Sequence, residues 1–305
     1  MSDSDTWRFV HVTDIHLGST ESYRFNPAFG ENWETAAAQI RALAPDLLLV
    51  GGDITRDGNL HAYEFDRSRA ALDALGIPWH CVPGNMDTGN KHTDRQGARD
   101  DRDDLACNVT EAQLQTYRDK IGPTTWSFVH RGVRFSGCYE IIADTTLPSA
   151  RALDAWLQNL ATLPRCAQHV MLNHYPLFTD TPDDPPRDIT DPSGYLDWYF
   201  SAEPAPRRKL IEAYRSAGVT HVLSGHIHCR RPPLNFEGIN YCFGASTAFA
   251  QWKDRWSDGD ARLGFQVFTV TPDGIDYRFE PLSQVSTRTD GWGPGGHPKP
   301  EARGR

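Results

Sequence analysis

Leu47-Leu48-Leu49-Val50 is apolar at every position and runs directly into Gly51-Gly52-Asp53. A run this short and unbroken reads as a buried strand, and glycines followed by a carboxylate read as the turn that ends it. Its neighbours set the architecture. Residues 7–13 are strand-like and end at Asp14, and residues 33–43 read as a helix stopped by Pro45. Residues 61–75 are amphipathic, with Ala70, Leu72 and Leu75 inward and Gly76 as the C-cap. Residues 77–82 form a third strand, closed by Pro83-Gly84-Asn85. Strand, helix, strand, helix, strand in that order predicts an α/β layer fold.

The second half continues with less regular alternation. Thr110-Glu111-Ala112-Gln113 is a capping box that opens a helix to about residue 121. Residues 126–129 and 133–139 flank Arg131-Gly132 and predict a hairpin, and Pro272-Asp273-Gly274 turns the last strand pair. Helices are expected over 152–163 and 206–217, and strands over 169–172, 219–223, 239–243, 263–270 and 275–279. Residues 88–108 are a charged loop, and residues 176–206 a long Pro- and Asp-rich one. The second carries Tyr195, Trp198, Tyr199 and Phe200, which predict an ordered cover, because loops of this length are functional or disordered. Residues 1–287 read as one domain, and 288–305, with eight Gly or Pro in eighteen positions, as a disordered tail.

Composition narrows the function classes. Of 305 residues, 39% are apolar, and no apolar run approaches the roughly 20 residues of a membrane span. A net charge of −9 argues against broad binding to nucleic acid or acidic membranes, which rests on clustered Lys and Arg. No basic, apolar leader precedes the first strand, and the six scattered cysteines form no C-x-x-C pair, so reduced thiols in a cytoplasmic protein are expected.

Five strand-like segments end in metal-binding residue types: Asp14-Ile15-His16, Gly52-Asp53, Gly84-Asn85-Met86-Asp87, Asn173-His174, and Gly225-His226-Ile227-His228. In open α/β sheets the carboxyl ends of strands share one crevice, where ligands bind. In extended backbone, residues i and i+2 face the same way, so Asp14 with His16, and His226 with His228, are expected to enter it as pairs. Imidazoles and carboxylates without thiolates suit Zn, Fe or Mn rather than a structural zinc knuckle. Asp14, His16, Asp53, Asn85, His174, His226 and His228 are more donors than one tetrahedral ion needs, and a carboxylate such as Asp53 can bridge two.

These ordered blocks resemble the calcineurin-like metallophosphoesterases, whose pattern is D-x-H, G-D, G-N-H-[DE], a lone His, and G-H-x-H. The resemblance spans about residues 8–280, and stretches such as Asn173-His174-Tyr175-Pro176-Leu177-Phe178 are similar to a subgroup that includes a small cytosolic serine/threonine phosphatase of animals. It implies a β-sandwich of two mixed sheets flanked by helices, and two divalent or trivalent ions. Asp14, His16 and His228 would hold one ion, Asn85, His174 and His226 the other, with Asp53 between them. A metal-bridging hydroxide would then hydrolyse a phosphoric ester, with no protein nucleophile. A phosphomonoester is the first expectation, a cyclic-nucleotide or glycerol phosphodiester the second, and a non-catalytic, metal-bearing interaction module the rival from another class.

One position departs from the pattern. Met86 stands where the family usually has a histidine thought to assist the leaving group, and a thioether transfers no proton. Asp87 and His92 are the nearby candidates for that proton. Otherwise the substrate needs a good leaving group. His11 and Cys229 read as packed core residues, and the Asp100–Asp104 run as a solvated loop.

Overall fold

A computed structural model describes residues 6–94, 104–251 and 254–293. β1 (Trp7–Val12), α1 (Pro27–Leu43), β2 (Leu47–Val50), α2 (Tyr63–Asp73) and β3 (Trp79–Cys81) alternate at the start. A single turn, α3 (Asn85–Thr88), leads to α4 (Glu111–Lys120) and the hairpin of β4 (Thr125–His130) and β5 (Val133–Cys138). Then come α5 (Pro148–Leu160), β6 (Gln168–Leu172), α6 (Pro192–Phe200), α7 (Pro204–Ser216) and β7 (His221–Ser224). Two antiparallel pairs follow, β8 (Arg231–Phe236) with β9 (Ile239–Phe243), and β10 (Gly264–Thr271) with β11 (Gly274–Pro281).

The strands form two mixed sheets, ordered β11-β10-β1-β2-β3 and β4-β5-β6-β7-β9-β8. Neighbours within β1-β2-β3 and within β5-β6-β7-β9 run parallel, and antiparallel strands occupy the edges. Side-chain alternation explains the stacking. Phe9, Leu47 and Leu49 join Phe135, Val170, Leu172 and Leu223 in a core between the sheets. Val10, Val12, Leu48 and Val50 face outward onto Trp33, Ala37 and Ile40 of α1 and Phe65 and Leu72 of α2. Met171 and Val222 pack similarly under Leu153 and Leu157 of α5 and Leu210 and Tyr214 of α7. The unbroken β2 run is thus covered on both sides, as parallel strands require. The expected sandwich of two mixed sheets flanked by helices is the one that forms.

Proline marks where the helices begin earlier than expected. Asn26 caps α1 by accepting from the Ala28 N–H, and Pro27 occupies its first turn, six residues ahead of the expected start at residue 33. α5, α6 and α7 likewise open on Pro148, Pro192 and Pro204. Proline suits the first turn because the N–H it lacks has no helical acceptor there. α6 therefore arises inside the stretch expected as a loop, where Tyr195, Trp198, Tyr199 and Phe200 are buried. β8 holds Pro232-Pro233 yet pairs with β9 through an irregular register, which an edge strand tolerates.

Of the acidic run, Asp100–Asp103 lie outside the described residues, and Asp104 caps the short 3-10 turn Leu105–Cys107. Of the expected tail, Trp292 pairs with Phe25, and Arg288 bonds Glu31 and Asp290, while 294–305 lie outside the described residues.

Candidate metal centre

The carboxyl ends of β1, β2, β3, β6 and β7 meet at one rim. Hydrogen bonding continues past the strands and fixes it: Gly51 N–H to Val12 O (2.8 Å), Asp14 N–H to Gly52 O (3.1 Å), and Gly225 N–H to His174 O (2.8 Å). All seven expected donor residues are buried there. Asp14, His16, Asp53 and His228 each offer one donor atom within 4.8 Å of the others, and so do Asp53, His174 and His226, so Asp53 belongs to both groups. Asn85 joins the second group, with its Oδ1 3.0 Å from His174 Nε2.

The pairing of Asp14 with His16 and of His226 with His228 does not come from extended backbone. All four residues, and Asp53, have left-handed φ between 48° and 67°. Such φ is uncommon outside glycine and clusters at functional sites, where surrounding structure holds it. Two glycines make room. A Cβ on Gly84 would stand 2.1 Å from Asp53 Oδ1, and one on Gly225 would stand 2.5 Å from Asp14 Oδ2.

Backbone carbonyls orient the imidazoles. His174 Nδ1 meets Gly51 O at 2.8 Å, His226 Nε2 meets Tyr199 O at 3.0 Å, and His228 Nδ1 meets Phe249 O at 3.0 Å. Each of these nitrogens must donate, which leaves the opposite nitrogen as the one that can offer a lone pair to a metal ion. His228 Nε2 accordingly faces Asp14 Oδ1 at 3.2 Å and His16 Nε2 at 3.1 Å. The Asn85 amide is set the same way, because its Nδ2 donates to Asn90 Oδ1 (3.0 Å) and turns Oδ1 inward.

Electrostatics agree with this donor set. Burial holds the His16 and His226 imidazoles well below their usual range, hence neutral. Burial opposes charge on His174 too, but Asp53, Asp14 and Glu140 outweigh it and raise the ring to about 10. Buried carboxylates here call for positive charge, and metal ions supply it. Asp14 and Asp53 oxygens, the Asn85 amide oxygen and the four imidazoles are the donor types that first-row metals take, so the residues present fit two ions.

A family model described as Calcineurin-like phosphoesterase matches residues 8–230. The chain belongs to the calcineurin-like phosphoesterase family. With its buried Asp/His centre, it is a metal-dependent phosphoester hydrolase whose site fits a dinuclear divalent metal pair. Among relatives, serine/threonine-protein phosphatase CPPED1 of Danio rerio is 25% identical over 315 residues, covering 93% of this chain and 88% of that protein. A 3',5'-cyclic-nucleotide phosphodiesterase of Nostoc is 25% identical over 275 residues, covering 87% and 88%. The purple acid phosphatase of yellow lupin seeds superimposes with a TM-score of 0.61 at 17% identity, over 92% of this chain and 52% of that one, a likeness of fold.

The family's usual histidine position is filled by Met86, which is buried, with Sδ 3.5 Å from Asn85 Nδ2 and 4.0 Å from Arg24 Nη2. Neither neighbouring candidate acid is presented to the donor cluster. The Asp87 carboxylate accepts from Ile54 N, Thr55 N, Thr55 Oγ1 and Gly84 N, which ties it beneath the β2 loop. His92 Nε2 lies 2.9 Å from Val109 O, and the ring lines a different cavity with Asp144, Trp198 and Glu203. His11 bonds Gln266 in the core, and Cys229 packs among the α6 aromatics.

Three supporting residues carry no motif. Glu140, just past β5, accepts from the His174 and Tyr175 N–H groups and fixes that turn; a carboxylate at a strand end was its only signal. Phe249 supplies the carbonyl for His228. Buried Lys91 donates to Trp198 O and to Ser201 O (2.8 Å), bracing the α6 segment whose Tyr199 carbonyl holds His226. Lys91→Met is expected to weaken metal binding about 10–100-fold, the usual cost of losing an outer support. A metal titration checks this, and unchanged affinity contradicts it.

Proposed function

We propose that this chain is a phosphomonoesterase in which Asp14, His16 and His228 would hold one metal ion, Asn85, His174 and His226 would hold a second, and Asp53 would serve both. The observation that carries this reading is Asp53, whose carboxylate lies within 4.8 Å of the donor atoms of both groups. When bound, the ions supply Lewis acidity that activates water at neutral pH and offsets charge on phosphoryl oxygens. The chain's own contribution is orientation. Tyr199, Gly51 and Phe249 carbonyls hold three imidazoles aimed, and Met86 N–H holds Asp53 Oδ1 at 2.7 Å. None of Met86, Asp87 and His92 presents an acid to the leaving group. Substrates with good leaving groups, such as aryl phosphates, therefore suit this site.

The monoester reading is supported by the CPPED1 relative, which this chain spans almost throughout. A cyclic-nucleotide diesterase is the second reading, favoured by the similar coverage of the Nostoc relative. All six cysteines are free thiols, which supports a reducing, cytoplasmic setting. No helix among the described residues is long and apolar enough to cross a membrane. Metal-stripped protein reloaded with Mn, Zn or Fe and offered matched mono- and diesters tests the reading. Faster turnover of monoesters supports it, and hydrolysis confined to diesters replaces it with the second.

A further inference from the structure

Beside the metal centre stands a cation that the proposed chemistry does not use. Arg56 lies three residues beyond Asp53, half-buried, with its guanidinium against a pair of aromatic rings, 5.5 Å from the Phe29 centroid and 5.6 Å from the Phe249 centroid. Those rings stack on each other at 4.9 Å, and Phe249 packs against His16 at 5.1 Å and His228 at 4.4 Å. The cation is therefore one ring away from the first donor group. Among the described residues its guanidinium has no hydrogen-bond acceptor and no ion-pair partner, although it carries five donors in a rigid plane. Its neighbour Arg24 differs, because Arg24 Nε donates to Asp57 Oδ1 at 2.8 Å and the two groups form a salt bridge.

Both arginines line a cavity of about 200 Å³, walled by Phe25, Phe29, Thr289 and Trp292. None of the seven donor residues lines it. A group seated there is thus not the one held between the metal positions. The volume is below the range of pockets that enclose whole small molecules and suits one substituent. A planar cation held by contact with two aromatic rings, with its donors unspent, is built to take a carboxylate or phosphate oxygen pair.

We propose that the Arg56 cavity is a second anion subsite, which selects phosphoesters bearing another acidic group, carboxylate or phosphate, beside the phosphoryl group that is hydrolysed. The proposal rests on the hydrolase reading for its substrate but not for its binding.

The test has two arms. In the first, phenyl phosphate, 3-carboxyphenyl phosphate and 1,3-phenylene bisphosphate are compared on metal-loaded wild type and Arg56→Gln. The kcat/KM preference for either doubly acidic ester over phenyl phosphate is expected to fall about tenfold or more, the value of a charge-assisted bond. Whichever ester loses more names the preferred group. An unchanged preference overturns the subsite, as does an equal loss for all three esters, which would put Arg56 on the transferred phosphoryl group. In the second arm, inorganic phosphate is titrated into metal-stripped protein, so that no bound metal ion competes for it. Saturable binding to wild type, weakened about tenfold or more in Arg56→Gln and less in Arg56→Lys, supports the proposal. No binding to folded wild type overturns it. If no ester is turned over, the hydrolase reading fails while the titration still decides the subsite, and Arg56→Lys serves if Arg56→Gln does not fold.

Discussion

Asp53→Asn is expected to lower phosphoester hydrolysis by more than about 10³-fold, because it removes charge at the point that both metal positions share. The substitution is close to isosteric. Its amide oxygen can still accept from the Met86 N–H that meets Asp53 Oδ1 at 2.7 Å, so the loop beneath the site keeps its anchor. What changes is the field. His174 Nε2 lies 3.4 Å from Asp53 Oδ1 and His16 Nε2 lies 3.6 Å from Oδ2, so one carboxylate serves imidazoles of both groups. A neutral amide cannot offset two adjacent dications, and the chain should retain one ion or none. Turnover and metal content, measured on the same preparation, check this. Near-wild-type turnover with two ions per chain contradicts the assignment.

Met86→His is expected to raise hydrolysis of alkyl phosphates by about 10²–10⁴-fold and that of nitrophenyl phosphate much less. A nitrophenolate leaves without a proton, whereas an alkoxide needs one in the transition state. Position 86 is the right place to supply it. It follows Asn85, is buried at the centre's edge, and stands beside Arg24, whose charge is offset by Asp57. Wild type should accordingly show a steep dependence of rate on leaving-group pKa, and the variant a shallow one. Equal slopes in the two proteins would place the acid elsewhere.

The convergence of these seven residues was legible because each follows the carboxyl end of a strand. Asp14 and Asp53 follow β1 and β2, and His226 follows β7. Spacing also pointed to Asp14–His16 and His226–His228 as pairs. It did not encode how they form, since left-handed φ at all four residues depends on contacts made elsewhere. The Gly225 approach to Asp14 is such a contact, between segments more than 200 residues apart. Helix starts were less legible: α1, α5 and α7 open at Pro27, Pro148 and Pro204, ahead of the expected residues 33, 152 and 206, because each proline occupies a first turn. The support groups were the least legible. Phe249 and Tyr199 act through backbone carbonyls, which every residue has, so no side-chain pattern marks them.

The most direct measurement is the titration of metal-stripped protein with Mn²⁺, counting bound ions per chain while following hydrolysis of a phosphomonoester. The account predicts that two ions bind per chain and that hydrolysis rises with occupancy of the second. Full hydrolysis by the stripped chain, or by a chain that binds a single ion, would contradict it.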